Sequence, residues 1–234
     1  MMELLRFGDQ GWGDEMLRGM GVTILVASLS FGFGVVVAFG GAALKLARAW
    51  PLRWIGEAYT TFIRGVPNLV LVYILFFGMG VAITSVANLF GYQGRIDLNS
   101  FVIGVLTIGL ISGGFSTEVI RGAILAVPRG QVEAARAVGM RPPLIFWRVV
   151  LPQCLRIALP GLGNVWQLTL KDTSLVSVMA LAEIMRQAFV AGNSTRQPFV
   201  FFTAAALLYL AISTVTNILF DRAERRFSRG VRRG

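Results

Sequence analysis

Apolar residues in this chain run in long unbroken blocks and do not alternate with polar ones. Stretches without a charged residue extend from Gly19 to Leu44, Gly65 to Gly94, Leu98 to Thr117 and Gln197 to Phe220. A fifth, from Ile157 to Glu183, is interrupted only by the adjacent Lys171 and Asp172. Each can cross a hydrocarbon core of about 30 Å, which takes roughly 20 helical residues. The absence of period-two alternation disfavours a transmembrane barrel, so the pattern predicts an all-α integral membrane protein with five spanning helices. No linker, low-complexity tract or fixed-period repeat divides the chain. The predicted organisation is therefore an N-terminal segment over 1–18, one transmembrane domain over 19–222 and a basic tail over 223–234.

Composition agrees with this solvent. Hydrophobic residues make up 55% of the chain, charged residues 15%, and mean hydropathy is +0.68, values too apolar for a water-soluble domain. Charge then orients the helices, because short cytoplasmic loops carry excess Lys and Arg. The segments Lys45 to Arg53, Arg121 to Arg148 and Arg222 to Gly234 hold 3, 5 and 6 basic residues. The opposite set, which contains Glu3, Asp9, Asp14, Glu15, Arg95, Asp97 and the stretch from Glu183 to Arg196, holds only 5. This asymmetry places the N-terminus outside and the C-terminus inside. The net charge of +10 is accounted for by cytoplasmic loops and tail facing anionic membrane lipids, with no need for nucleic acid. The mixed-charge start lacks a secretory signal's basic start and cleavage site, so the first helix itself is expected to direct insertion. A single cysteine, Cys154, permits no internal disulfide.

Two polar interruptions of the apolar blocks are candidate solute contacts. In the first, Arg64-Gly65-Val66-Pro67-Asn68, Pro67 removes a backbone hydrogen bond and Gly65 loosens the turn before it. A helix break there gathers free backbone groups, a cation and an amide near mid-membrane. In the second, Asn164, Gln167, Lys171 and Ser174 are spaced three or four apart and share one helix face. Lys171 and Asp172 lie about 100° apart around the helix and cannot neutralise each other face to face, so each is expected to meet another partner. Together Arg64, Asn68, Asn164, Gln167, Asp172, Thr173 and Ser174 are candidates to line a path for a polar solute. Helix-to-helix hydrogen bonding is the plainer alternative. The glycines of the first segment (Gly32, Gly34, Gly40, Gly41) and the third (Gly104, Gly109, Gly113, Gly114) suit close helix packing in lipid.

One polar element lies between the blocks: residues 133–152, EAARAVGMRPPLIFWRVVLP. Glu133, Ala134 and Ala135 favour helix, Gly139 suits a helix C-terminus, and Pro142-Pro143 keeps the helix from continuing smoothly. A short helix followed by a sharp redirection is predicted. With no histidine, one cysteine, no clustered carboxylates and no GxxxxGK[ST] run, the chain carries neither a familiar catalytic constellation nor its own ATPase.

Glu-Ala-Ala, Gly139 and the closing Leu151-Pro152 resemble the EAA loop of ATP-binding-cassette (ABC) importer permeases. The runs Arg64 to Pro67, Arg121 to Gln131, Ala158 to Asn164 and Leu170 to Ser177 are similar to the polar amino-acid uptake permeases, closest to subunits for histidine, arginine, lysine, ornithine or opines. The resemblance implies a type I importer fold in the bacterial inner membrane, with a coupling loop over 128–152 in which Glu133, Ala134, Ala135, Gly139, Leu151 and Pro152 contact or support a separate ATPase. It further implies a second permease subunit, identical or paralogous, a periplasmic solute-binding protein, and ATP and Mg held by the ATPase dimer, with no cofactor on this chain. Relatives for cationic solutes carry an acid at the position of Asn68 or Val165, both uncharged here, and a tyrosine where Phe115 stands. Either the partner subunit supplies the acid or the solute is less cationic. An ATP-independent secondary transporter or channel is the alternative that composition alone leaves open.

Overall fold

The computed structural model describes residues 6–8, 11–92, 94 and 99–227. Among the charges used for orientation, Glu3, Asp9, Arg95, Asp97 and the tail arginines beyond 227 lie outside these residues, as do parts of the 1–18 and 223–234 segments. The described chain is all-helical, in the order α1 (Gly13–Lys45), α2 (Trp50–Gly65), α3 (Asn68–Leu89), α4 (Ser100–Leu125), α5 (Arg129–Ala137), α6 (Pro142–Ile145), a π-helical turn (Phe146–Val150), α7 (Leu151–Asp172), a 3₁₀ segment (Thr173–Met179), α8 (Ile184–Thr195) and α9 (Pro198–Phe227). Five stretches are long and apolar enough to cross a membrane: Gly13–Lys45, Asn68–Leu89, Ser100–Leu125, Pro142–Met179 and Pro198–Phe227. Their number agrees with the hydrophobic blocks.

Their boundaries do not. The fourth candidate span begins at Pro142, fifteen residues before the predicted Ile157, and runs through Leu151-Pro152, so those two residues are helical. Pro152 has no N–H and its ring presses on the preceding turn. The π turn just before it absorbs the misfit: Leu151 donates to Phe146 O, five residues back. Two shorter helices were also not foreseen. α2 is amphipathic and turns Gly56, Thr60 and Ile63 inward, while Trp50 and Trp54 are exposed. α8 starts at a buried side-chain cap from Glu183.

The central packing is α1 against α4. A Cβ at Gly34 would stand 2.9 Å from Gly109 O, and one at Gly109 would stand 3.0 Å from Ser30 O, so the two backbones approach as only small residues allow. Gly41, Gly113 and Gly114 likewise meet neighbouring side chains, whereas Gly32 and Gly40 face open space. Ser30 crosses the same seam, donating to Val105 O at 3.1 Å. Gly34→Leu is therefore expected to force α1 from α4 and lower the melting temperature of the purified subunit by about 5 °C, given roughly 1–3 kcal/mol for overpacking. Gly32→Leu should leave it unchanged.

Candidate functional site

The chain breaks at Pro67 as the sequence predicts, but at the start of the second candidate span and not within it. α2 ends at Gly65, Val66 is extended at φ −105° and ψ 137°, and Pro67 precedes the first residue of α3. The extended residue before proline is what the ring's steric demand dictates. Asn68, the first residue of α3, reaches across to the last residue of α7. Its Nδ2 donates to Oδ1 and Oδ2 of Asp172 at 3.1 and 3.0 Å.

Asp172 lies at a second irregularity, where the α-helix tightens to 3₁₀. Thr173 Oγ1 donates to Leu170 O at 2.6 Å and Ser174 Oγ to Lys171 O at 2.7 Å, serving carbonyls at the junction. Two broken helices thus meet through one amide and one carboxylate, residues 104 positions apart.

The other candidates lie elsewhere. Gln167 Nε2 donates to Asn217 Oδ1 at 2.8 Å and Thr216 Oγ1 at 3.1 Å, both on α9. Asn164 lines a cavity of about 180 Å3 with Asn217 and Asp221. Lys171 and Ser174 border a groove of about 500 Å3 against Ala205, Tyr209 and Ser213. The polar stripe therefore shares one face, as its spacing predicts, and that face looks toward α9. Within this subunit Asn68 is brought to Asp172 and not to Asn164 or Gln167. Of the adjacent charges, Asp172 meets Asn68, while Lys171 forms no ion pair among the described residues.

Arg64 and Gly65 line a third space, a cleft of about 570 Å3 bordered by Lys45, Glu57, Thr60, Phe115, Glu118 and Arg121. Its floor is an ion-pair network that the charge pattern concealed. Lys45, expected to be a loop cation, is buried, its side chain 4% exposed. Its ammonium donates to Thr60 Oγ1 at 2.9 Å, pairs with Glu57 at 2.8 Å and with Glu118, and so spends all three protons. The second Glu118 oxygen takes Arg121 at 3.0 Å. The network ties the end of α1 to α2 and α4. Only the three-residue spacing of Glu118 and Arg121 hinted at it.

α5 is the predicted short helix. Met140 N–H bonds Ala135 O at 3.1 Å and Gly139 N–H bonds Arg136 O at 2.9 Å, with Gly139 at φ +79°. These two bonds form a Schellman stop. A Cβ at Gly139 would meet nothing within 4 Å, so the demand for glycine is conformational and not a matter of space for a side chain. Glu133 and Ala134 are exposed, while Ala135 is buried and seats the helix. From Pro142 the chain continues through the π turn into α7, which contains Pro160 and ends at Asp172.

The comparisons with known proteins agree on kinship. The nopaline transport system permease protein of Agrobacterium fabrum is 52% identical over 232 residues, covering 99% of this chain and 98% of that protein. The histidine/lysine/arginine/ornithine transport system permease protein of Escherichia coli is 41% identical over 223 residues, covering 95% and 97%. Among solved structures, an amino acid ABC transporter crystallised with histidines superposes with a TM-score of 0.77 at 28% identity over 92% of this chain and 95% of that one. An inward-facing methionine ABC transporter superposes with a TM-score of 0.72 over 92% and 96%, at 17% identity, a likeness of fold alone. Residues 21–229 match the family described as binding-protein-dependent transport system inner membrane component. The chain, with five candidate membrane helices among its described residues and the short α5 between the third and fourth, belongs to that family and is a permease subunit of the inner membrane.

Proposed function

We propose that this subunit forms part of the membrane path of an ATP-driven importer for a basic or polar amino acid or an opine. The observation that carries the reading is the Asn68–Asp172 pair, a carboxylate presented at the meeting of two helix breaks. The acid that Asn68 and Val165 lack is supplied by Asp172, whose charge suits a guanidinium or ammonium group. Arg64 forms no ion pair among the described residues and borders the neighbouring cleft, where it suits a solute carboxylate. Asn68 then reads the solute's polar groups, and a second permease subunit, identical or paralogous, closes the path. The N-terminus faces out and the C-terminus in.

Exposed Glu133 and Ala134 form the contact to a separate ATPase dimer, which holds ATP and Mg, while a periplasmic binding protein delivers solute from the other side. Movement of α5 passes through the Gly139 stop to Pro142 and along α7 to Asp172. Reconstitution with the co-purifying subunits, followed by ATP-dependent uptake across a panel of amino acids and opines, tests this reading. Gly139→Val is expected to cut uptake about tenfold while the subunit still folds, because a β-branched residue resists a left-handed conformation at roughly 1–2 kcal/mol. Gly139→Asn, which tolerates that conformation, should retain most of it. Uptake without ATP, or full coupling in Gly139→Val, would sink the proposal.

A further inference from the structure

Glu183 is fully buried and has no part in the transport path described above. Its Oε2 accepts from Met185 N–H at 2.9 Å and from Tyr209 O–H at 2.9 Å, and its Oε1 accepts from Arg186 N–H at 2.7 Å. Tyr209 Oη lies 3.3 Å from Thr173 Oγ1, and Thr173 donates to Leu170 O. Counting protons makes this arrangement informative. With Glu183 ionised, Tyr209 gives its one hydrogen to the carboxylate and Thr173 gives its one hydrogen to Leu170. The Tyr209–Thr173 contact then holds two oxygens and no hydrogen between them. With Glu183 protonated, the chain runs in one direction: Glu183 donates to Tyr209, Tyr209 to Thr173, and Thr173 to Leu170 O.

Resting on the reading of Asp172 as a solute contact, we infer that Glu183 and Tyr209 are positioning residues that hold the Asp172–Thr173 turn through a hydrogen-bond chain completed by a proton on Glu183. Thr173 sits at the α-to-3₁₀ junction, one residue from the carboxylate that Asn68 grips. Losing the bond from Tyr209 therefore loosens the junction that aims Asp172.

The surroundings offer Glu183 hydrogen-bond donors but, among the described residues, no cation that pairs with it. α1 presents Thr23, whose Oγ1 accepts from Ile184 N–H; α9 presents Tyr209; the 3₁₀ segment presents Thr173; and Arg186 of α8 lies over the Phe189 ring. Burial accordingly pushes its carboxyl up to about 7, against the hydrogen bonds from Met185, Arg186 and Tyr209 that pull the other way. The folded protein binds this proton more tightly than the unfolded chain, so stability falls as pH rises from the usual carboxylate range to about 7.

The test uses the reconstituted transporter with its ATPase and binding protein. Wild-type uptake should show a KM about fivefold lower at pH 6 than at pH 8. Glu183→Gln has an amide nitrogen that can donate toward Tyr209 and an oxygen that keeps the Arg186 N–H bond. It gives up the Met185 N–H bond and should still hold KM near the low value at both pH values. Tyr209→Phe should raise it at both, with folding checked by melting temperature. A carboxyl C=O infrared band that titrates in wild type and is absent from Glu183→Gln reads the proton without transport. A pH-independent wild-type KM, a Tyr209→Phe profile that matches wild type, or a missing band would overturn the inference. A titrating band in a preparation that no amino acid or opine stimulates would instead leave the proton assignment standing and remove the transport reading beneath it.

Discussion

Replacing Asp172 by Asn should reduce uptake of a cationic solute about 100-fold, corresponding to roughly 3 kcal/mol for a desolvated charge pair that loses one partner. The substitution keeps the side chain's shape, so Asn68 still finds an oxygen acceptor and the helix junction should survive. A neutral polar amino acid, if carried at all, should lose less than tenfold. The ratio of the two effects reads the role of charge separately from that of shape. Radiolabelled uptake in proteoliposomes measures both, and equal losses for cationic and neutral solutes would show that the carboxylate serves structure alone. Asn68→Ala should fall between wild type and Asp172→Asn, since it removes two hydrogen bonds but leaves the acid in place.

Lys45→Met should be the most destabilising single change, lowering the melting temperature by about 10 °C. The estimate follows from roughly 3 kcal/mol for breaking a buried ion pair in a protein of this size. The cost lies in what remains. Glu118, its side chain only 20% exposed, would keep Arg121 but lose the cation that ties it to α1, while Glu57 at 60% exposure can turn to water. The double variant Lys45→Met, Glu118→Met should therefore be more stable than Lys45→Met alone, since it removes the stranded charge with its partner. A strictly additive double variant would mean that the two side chains do not act as a pair.

Much of the architecture was legible because lipid imposes simple rules. Four uncharged blocks and a fifth interrupted only at Lys171-Asp172 match the five candidate membrane helices, and Pro67 placed the break between α2 and α3 to within a residue. Gly139 marked the end of α5 for the right conformational reason, although the space around it is open. The errors arose where one rule was applied without its competitor. The apolar run points to a fourth span from Ile157, yet a π turn accommodates Pro152 and the helical stretch starts at Pro142. Lys45 was counted as a loop charge, yet two carboxylates and a hydroxyl from other helices make its burial tolerable. Sequence spacing could group Asn164, Gln167, Lys171 and Ser174 on one face, but it held no information about which helix that face meets. The Asn68–Asp172 and Glu183–Tyr209 pairs join residues too distant in sequence for any local pattern to connect.

The π turn has a mechanical consequence. It lies at the loop end of the fourth span, and a helix that has already given up its regular bonding there is the easiest place for it to pivot. Beyond it, the 22 residues of α7 form an arm of roughly 33 Å at about 1.5 Å per residue. A tilt of about 5° at the pivot would carry the far end about 3 Å. That displacement is comparable to the 3.0 Å separating Asn68 from Asp172, so on the proposed path a small push near the loop would be enough to part the pair.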